Sequence, residues 1–133
     1  MRSIPIILLL LFAACCTPQA EQVARHFANA YYQRIDLEQA EKLTDGLARD
    51  KVEKGLLLTR GQTIDSTTRP PEVKIKLLQG DRKGDEGVYL FLLQIQPDQF
   101  EEIRKEARIR VRLKGGEWKV TQFSEHEIEK IDE

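Results

Sequence analysis

Between residues 87 and 96 the chain reads Gly-Val-Tyr-Leu-Phe-Leu-Leu-Gln-Ile-Gln, a run of β-formers. It is closed off by the Gly/Asp-rich residues 80–87 before it and by Pro97-Asp98 after it. As a strand it has one wholly apolar face: Tyr89, Phe91, Leu93 and Ile95. The other face (Val88, Leu90, Leu92, Gln94 and Gln96) is apolar at one end and amide-bearing at the other. Side chains alternate between the faces of a strand, so a strand apolar on both belongs in mid-sheet with something covering each side.

The neighbouring segments supply that sheet. Residues 72–79 alternate Val73, Ile75 and Leu77 against Lys74, Lys76 and Leu78, and residues 80–87 are turn chemistry throughout. In the second half of residues 100–114, Ala107, Ile109, Val111 and Leu113 alternate with Arg108, Arg110, Arg112 and Lys114. Gly115-Gly116 reads as a hairpin turn. A fourth strand follows over residues 117–123, with Trp118 and Val120 against Lys119 and Thr121. Connections this short predict an antiparallel meander. Ser124 with Glu127 forms a capping-box pattern, which predicts a short acidic helix over residues 125–131.

Upstream the period changes from two to three and four. Ala20, Val23, Ala24, Phe27, Ala30, Tyr31 and Ile35 form one amphipathic stripe. Asp36 reads as an N-cap with Gln39 three residues on, starting a second helix whose buried side is Leu37, Ala40 and Leu43. Thr44-Asp45-Gly46 breaks it. Leu47, Ala48, Val52, Gly55, Leu56 and Thr59 then continue a helical period towards a C-cap at Arg60-Gly61, although Leu56-Leu57-Leu58 also fits a short strand. Residues 62–71 are a polar connection ending in Pro-Pro. Helices followed by a meander predict an α+β fold: two to three N-terminal helices packed on one face of a curved antiparallel sheet of about four strands.

The start of the chain carries a different signal. A basic lead, Met1-Arg2-Ser3, precedes an uncharged apolar run over residues 4–14 that is too short to span a bilayer as a helix. Phe12-Ala13-Ala14-Cys15 resembles the bacterial lipoprotein signal, in which small residues precede a cysteine that is lipidated and becomes the mature N-terminus. The resemblance implies a signal peptide over residues 1–14, a lipid attached at Cys15 and a tether over residues 15–19. It also implies a place in the bacterial cell envelope, facing the periplasm or the cell exterior. An ordinary cleaved secretory signal is the alternative. Cys15 and Cys16 are the chain's two cysteines, and as neighbours they make a poor structural disulfide. His26 and His126 lie far apart, so no Cys/His cluster suggests a metal, and no cofactor is expected.

The aromatic end of the first helix (Ala30-Tyr31-Tyr32), the start of the second (Asp36-Leu37-Glu38-Gln39-Ala40) and the Gly-Gly-Glu-Trp-Lys-Val hairpin together resemble the nuclear transport factor 2-like superfamily. This cone-shaped fold is shared with ketosteroid isomerases. The resemblance covers residues 20–123 and leaves residues 124–133 as an acidic C-terminal segment. It implies a pocket between helices and sheet, for which Tyr31 and Tyr32 are the candidates. In the isomerase branch such a pocket holds a tyrosine and one or two acids whose pKa is raised by apolar surroundings. No acid stands in the middle of the central strand, Asp36 is already used as a cap, and both histidines read as surface residues. No catalytic residue is assigned.

With a formal net charge of -1, composition points to neither nucleic acid nor an acidic substrate. Its distribution is more informative. If the helices cover Tyr89, Phe91, Leu93 and Ile95, the opposite face sets Leu90 and Leu92 among Lys74, Lys76, Arg108, Arg110, Arg112 and Lys119. An apolar strip framed by cations invites a cover. A second copy of the chain, the acidic C-terminal segment and anionic lipid head groups would each serve, or the face is simply solvated. The sequence therefore predicts a membrane-anchored binding or interaction module, with a homodimer through the open sheet face as one possible assembly. An isomerase-like enzyme working on a small molecule is the alternative.

Overall fold

The structure, a computed structural model, describes residues 19–59 and 71–128. The apolar leader, Cys15, the C-cap expected at Arg60-Gly61, most of the 62–71 connection and residues 129–133 lie outside the described residues. Three helices precede four strands: α1 (Gln19–Ala28), α2 (Leu37–Lys42), α3 (Gly46–Thr59), β1 (Glu72–Lys83), β2 (Glu86–Gln96), β3 (Ile103–Lys114) and β4 (Glu117–Glu127). The strands form one antiparallel sheet in the order β1-β2-β3-β4, with the helices on one side. This is the expected α+β class.

The face of β2 that meets the helices is Tyr89, Phe91 and Leu93, all buried, with Ile95 partly so. Ala107, Ile109 and Val111 of β3 and Trp118, Val120 and Phe123 of β4 continue the same layer. Helix α1 meets it through Ala20, Ala24, Phe27 and Ala28, and the small alanines let the helix lie close to the strands. Helix α3 rests on β4 through Ala48 and Val52. Leu56-Leu57-Leu58 is helical. Leu47, expected on the buried side, is 68% exposed, because a residue directly before Ala48 points a third of a turn away from the sheet.

Three departures from strict periodicity shape the rest. Residues 29–33 form a π-helical turn after α1, with the Arg34 amide donating to the Asn29 carbonyl at 2.9 Å. The extra residue ends the apolar stripe early. Ile35, expected on that stripe, instead takes a φ of 53° and is 57% exposed. In β1 a bulge between Leu77 and Gln79 leaves Leu78 unpaired, and in β4 a bulge leaves Thr121 unpaired between Val120 and Gln122. Each extra residue exchanges the faces of everything beyond it.

Two expectations about loops are corrected. Residues 80–87 are mostly strand, and only Gly84-Asp85 forms the hairpin turn, with Gly84 at a φ of 56°. The two outer glycines belong to the ladder because the Tyr89 ring lies over both. A Cβ at Gly80 or at Gly87 would come within 2.8 Å of that ring. The short helix expected over residues 125–131 is also absent from the described residues. β4 continues to Glu127, and the Ile128 amide donates to the Arg104 carbonyl at 2.8 Å.

Candidate functional site

Under the π-helical turn the sheet is incompletely covered, and a groove of about 360 Å³ opens there. Its apolar walls are Val73, Leu93 and Ile95 from the sheet and Ile35 and Leu37 from the start of α2, with Tyr31 and Tyr32 at one side. Local interactions hold the turn in place. Asp36 caps α2 by accepting from the Gln39 amide at 3.1 Å, and its own amide donates to the Ala30 carbonyl at 2.7 Å. The Gln33 side chain donates to the Val73 carbonyl at 3.1 Å, tying the turn to the free edge of β1.

Tyr31 and Tyr32 join Phe27 and Phe123 in a cluster of rings. The Phe27–Phe123 and Tyr31–Phe123 centroids are 4.7 and 4.8 Å apart in tilted and edge-on contact. The Tyr32 hydroxyl donates to Glu125 Oε2 at 2.7 Å. Glu125 reaches the groove because the Thr121 bulge turns Phe123 and Glu125 inward, opposite Ile109 and Ala107. Lys105, two residues along β3 on the same face, lines the groove as well. Lys51 closes the arrangement from α3. Its Nζ donates to the Phe123 carbonyl at 3.3 Å and stands 3.9 Å from Glu125 Oε2. Burial, then the hydrogen bond to Glu125, then the charges of Glu125 and Tyr31 push the Tyr32 phenol far above its ordinary range. Burial and the Glu125 charge raise Tyr31 in the same direction.

The sequence pointed to both tyrosines but missed the acid. In the sequence Glu125 falls in an expected acidic helix outside the pocket, and Asp36, the acid nearest the tyrosines, is already used as a cap. A signal was present: the apolar alternation of Trp118 and Val120 resumes out of phase at Phe123, which marks an inserted residue.

The register brings the second group of candidates onto the outer face. Lys74 pairs with Gln94, Lys76 with Leu92, Leu90 with Arg108 and Val88 with Arg110. Leu90 and Leu92 are half-buried, whereas Lys74, Lys76, Arg108, Arg110 and Arg112 are exposed. Acids are interleaved with them. Glu106 stands opposite Leu92, Asp81 opposite Val88, and Glu86 bonds Arg112 across the strands. That bond, with the Arg112 charge, holds the Glu86 carboxyl below the usual carboxylate range.

Two solved structures share this architecture. A protein from Thiobacillus denitrificans, described as a calcium/calmodulin-dependent protein kinase type II association domain, aligns at TM-score 0.63 with 14% identity. The match covers 84% of this chain and 97% of that one. A SEC-C motif containing protein from Rhodopseudomonas palustris aligns at TM-score 0.53 with 18% identity, over 81% of this chain and 77% of that one. At these identities the likeness is one of fold, and it agrees with the α+β architecture that the resemblance to the nuclear transport factor 2-like superfamily implies. No protein-family model matches the chain, and a search of curated proteins finds no relative. Among the described residues no helix is long and apolar enough to cross a membrane, and no group of acidic, histidine and cysteine side chains is placed to hold a metal.

Proposed function

We propose that this chain is a lipid-anchored binding protein of the bacterial cell envelope. In this reading its single domain, of the nuclear transport factor 2-like kind, takes up a small ligand in the groove beneath the π-helical turn. The observation that carries the reading is the groove's composition. Apolar walls line an open groove of about 360 Å³ and end in a polar pair, Tyr32 and Glu125, with Lys105 beside it. Such a site suits a molecule with an apolar body and a hydrogen-bonding group at one end. The anchor rests on the lipoprotein-like signal ending at Cys15, and two acyl chains would hold the domain stably at a membrane.

Binding is favoured over isomerisation by how the acid is used. A general base must be within reach of a substrate proton. Glu125 Oε2 already accepts from Tyr32 and stands 3.9 Å from the Lys51 ammonium, so this oxygen is engaged by protein groups.

A thermal-shift screen of steroid-like and polyketide-like compounds, followed by calorimetry, tests the pocket. At least one apolar compound with a hydroxyl group that can donate to the Tyr32 oxygen is expected to bind, and Tyr32→Phe to weaken it about tenfold, one hydrogen bond's worth. Silence across the panel would sink the pocket. The anchor is tested separately: unchanged membrane association in Cys15→Ser removes it.

A further inference from the structure

The outer face holds a small depression of about 110 Å³ lined by Arg108, Arg110, Gln122 and Ser124, beside a wider one of about 520 Å³ where Arg108 and Ser124 meet Asp81, Glu106 and His126. The ladder builds the smaller one. Arg108 pairs with Ser124 and Arg110 with Gln122, so four side chains from two adjacent strands meet in a two-by-two block. The strand repeat sets the two arginines roughly 7 Å apart on one side, close enough to flank a single ion. The Thr121 bulge is again decisive. Without it Gln122 and Ser124 would point into the core and the block would not form.

Donors predominate in the block. Guanidinium groups only donate, and the Gln122 amide and Ser124 hydroxyl can each donate as well as accept. The flanking arginines are occupied: Arg104 bonds Glu102 and Arg112 bonds Glu86. Among the described residues, Arg108 and Arg110 form no ion pair with a carboxylate. Arg110 exerts only a minor pull on Glu86, after Arg112, and Glu106 lies one step along β3, opposite His126. We propose that Arg108, Arg110, Gln122 and Ser124 form a site for a phosphate-class oxyanion, either free phosphate or the phosphodiester of a lipid head group. Paired guanidiniums bind such groups through bidentate charge-assisted hydrogen bonds, whose planar fork a lysine lacks.

The test uses the full-length chain carrying Cys15→Ser, so that an acyl anchor contributes to neither arm. One arm titrates inorganic phosphate calorimetrically. The other measures co-sedimentation with vesicles of phosphatidylglycerol and phosphatidylcholine against phosphatidylcholine alone. Arg108→Gln/Arg110→Gln is compared with Lys74→Gln/Lys76→Gln, which removes equal charge from the same face. Both pairs are exposed, so both variants should stay folded, which their melting curves verify. The arginine variant is expected to weaken binding about tenfold or more, with the lysine variant close to the parent. Arginine-dependent phosphate binding assigns the free ion, and arginine-dependent binding to anionic vesicles alone assigns the head group. No binding of either probe, or equal loss in the two variants, overturns the proposal. Neither arm depends on the inner groove, so failure here leaves the small-ligand reading standing.

Discussion

Tyr32 and Glu125 are 93 residues apart in the chain, yet their hydrogen bond ties the π-helical turn to the last strand. The bond has a signature in pH. Folding raises the Tyr32 phenol above its ordinary value of about 10, so the folded state keeps a proton that the unfolded state gives up. This contribution is therefore fully present below about pH 10 and is lost as pH rises further, by at most about 1.4 kcal/mol per pH unit. Urea unfolding of the parent and of Tyr32→Phe at several pH values between 8 and about 11.5 isolates it from other alkaline titrations. Tyr32→Phe is expected to cost about 1 kcal/mol near neutrality and to lose stability less steeply above pH 10. Parallel curves would show that Tyr32 is not held by its surroundings. Tyr31 could be read from the sequence as part of an apolar stripe, and both tyrosines from the resemblance that Ala30-Tyr31-Tyr32 carries. Their partner was harder to read, since only the break in alternation at Phe123 signals that Glu125 turns inward, and the pairing itself spans 93 residues.

Among the elements, β4 does the most with one residue. Trp118 and Val120 face the helices, Thr121 is the extra residue, and beyond it the inward set becomes Phe123 and Glu125. The bulge lies where Leu43 and Asp45 bind the β4 edge. The Val120 amide donates to the Leu43 carbonyl and the Asp45 amide to the Val120 carbonyl, each at 2.8 Å. Thr121 is thus a spacer, and its side chain matters less than its presence. Deleting Thr121 would restore strict alternation, expel Phe123 from the ring cluster and bring Gln122 and Ser124 inward. Losing a buried phenylalanine alone costs about 3–5 kcal/mol, a large share of a small domain's stability. Thermal melts are expected to show Thr121→Ala within about 1 kcal/mol of the parent and the deletion without a cooperative transition. A folded deletion variant would mean that the register can slip back. The same logic explains what was legible here. Strand existence and turn positions followed from β-formers, Gly-Gly and Pro-Asp, and the α2 cap from Asp36. The β1 bulge, the π-helical turn and the run of β1 through Gly80 were hidden, and the β4 bulge showed only as the break in alternation before Phe123. Each adds a residue or leans on a distant side chain, as Gly80 does on Tyr89.

At the level of the whole molecule, the sheet separates two environments that share a single central strand. Its inner side carries the fold and the Tyr32–Glu125 groove, and its outer side carries Leu90 and Leu92 between Lys74, Lys76 and the β3 arginines. The two bulges matter at this scale because they decide which side chains each environment receives, and one deletion would alter both. Adjacent residues of β2 make the division measurable. Phe91 is fully buried, so Phe91→Glu forces a carboxylate into an apolar core and is expected to abolish folding. Leu90 is half-buried opposite Arg108, so Leu90→Glu meets a guanidinium instead, and its melting point should stay within a few degrees of the parent. If copies associate through the outer face, light scattering after gel filtration will find Leu90→Glu monomeric where the parent is not. The same variant places a carboxylate beside the proposed oxyanion site, and should weaken phosphate binding while sparing any ligand of the inner groove. Should Leu90→Glu unfold the domain as Phe91→Glu does, the outer face is part of the core and cannot be a binding surface.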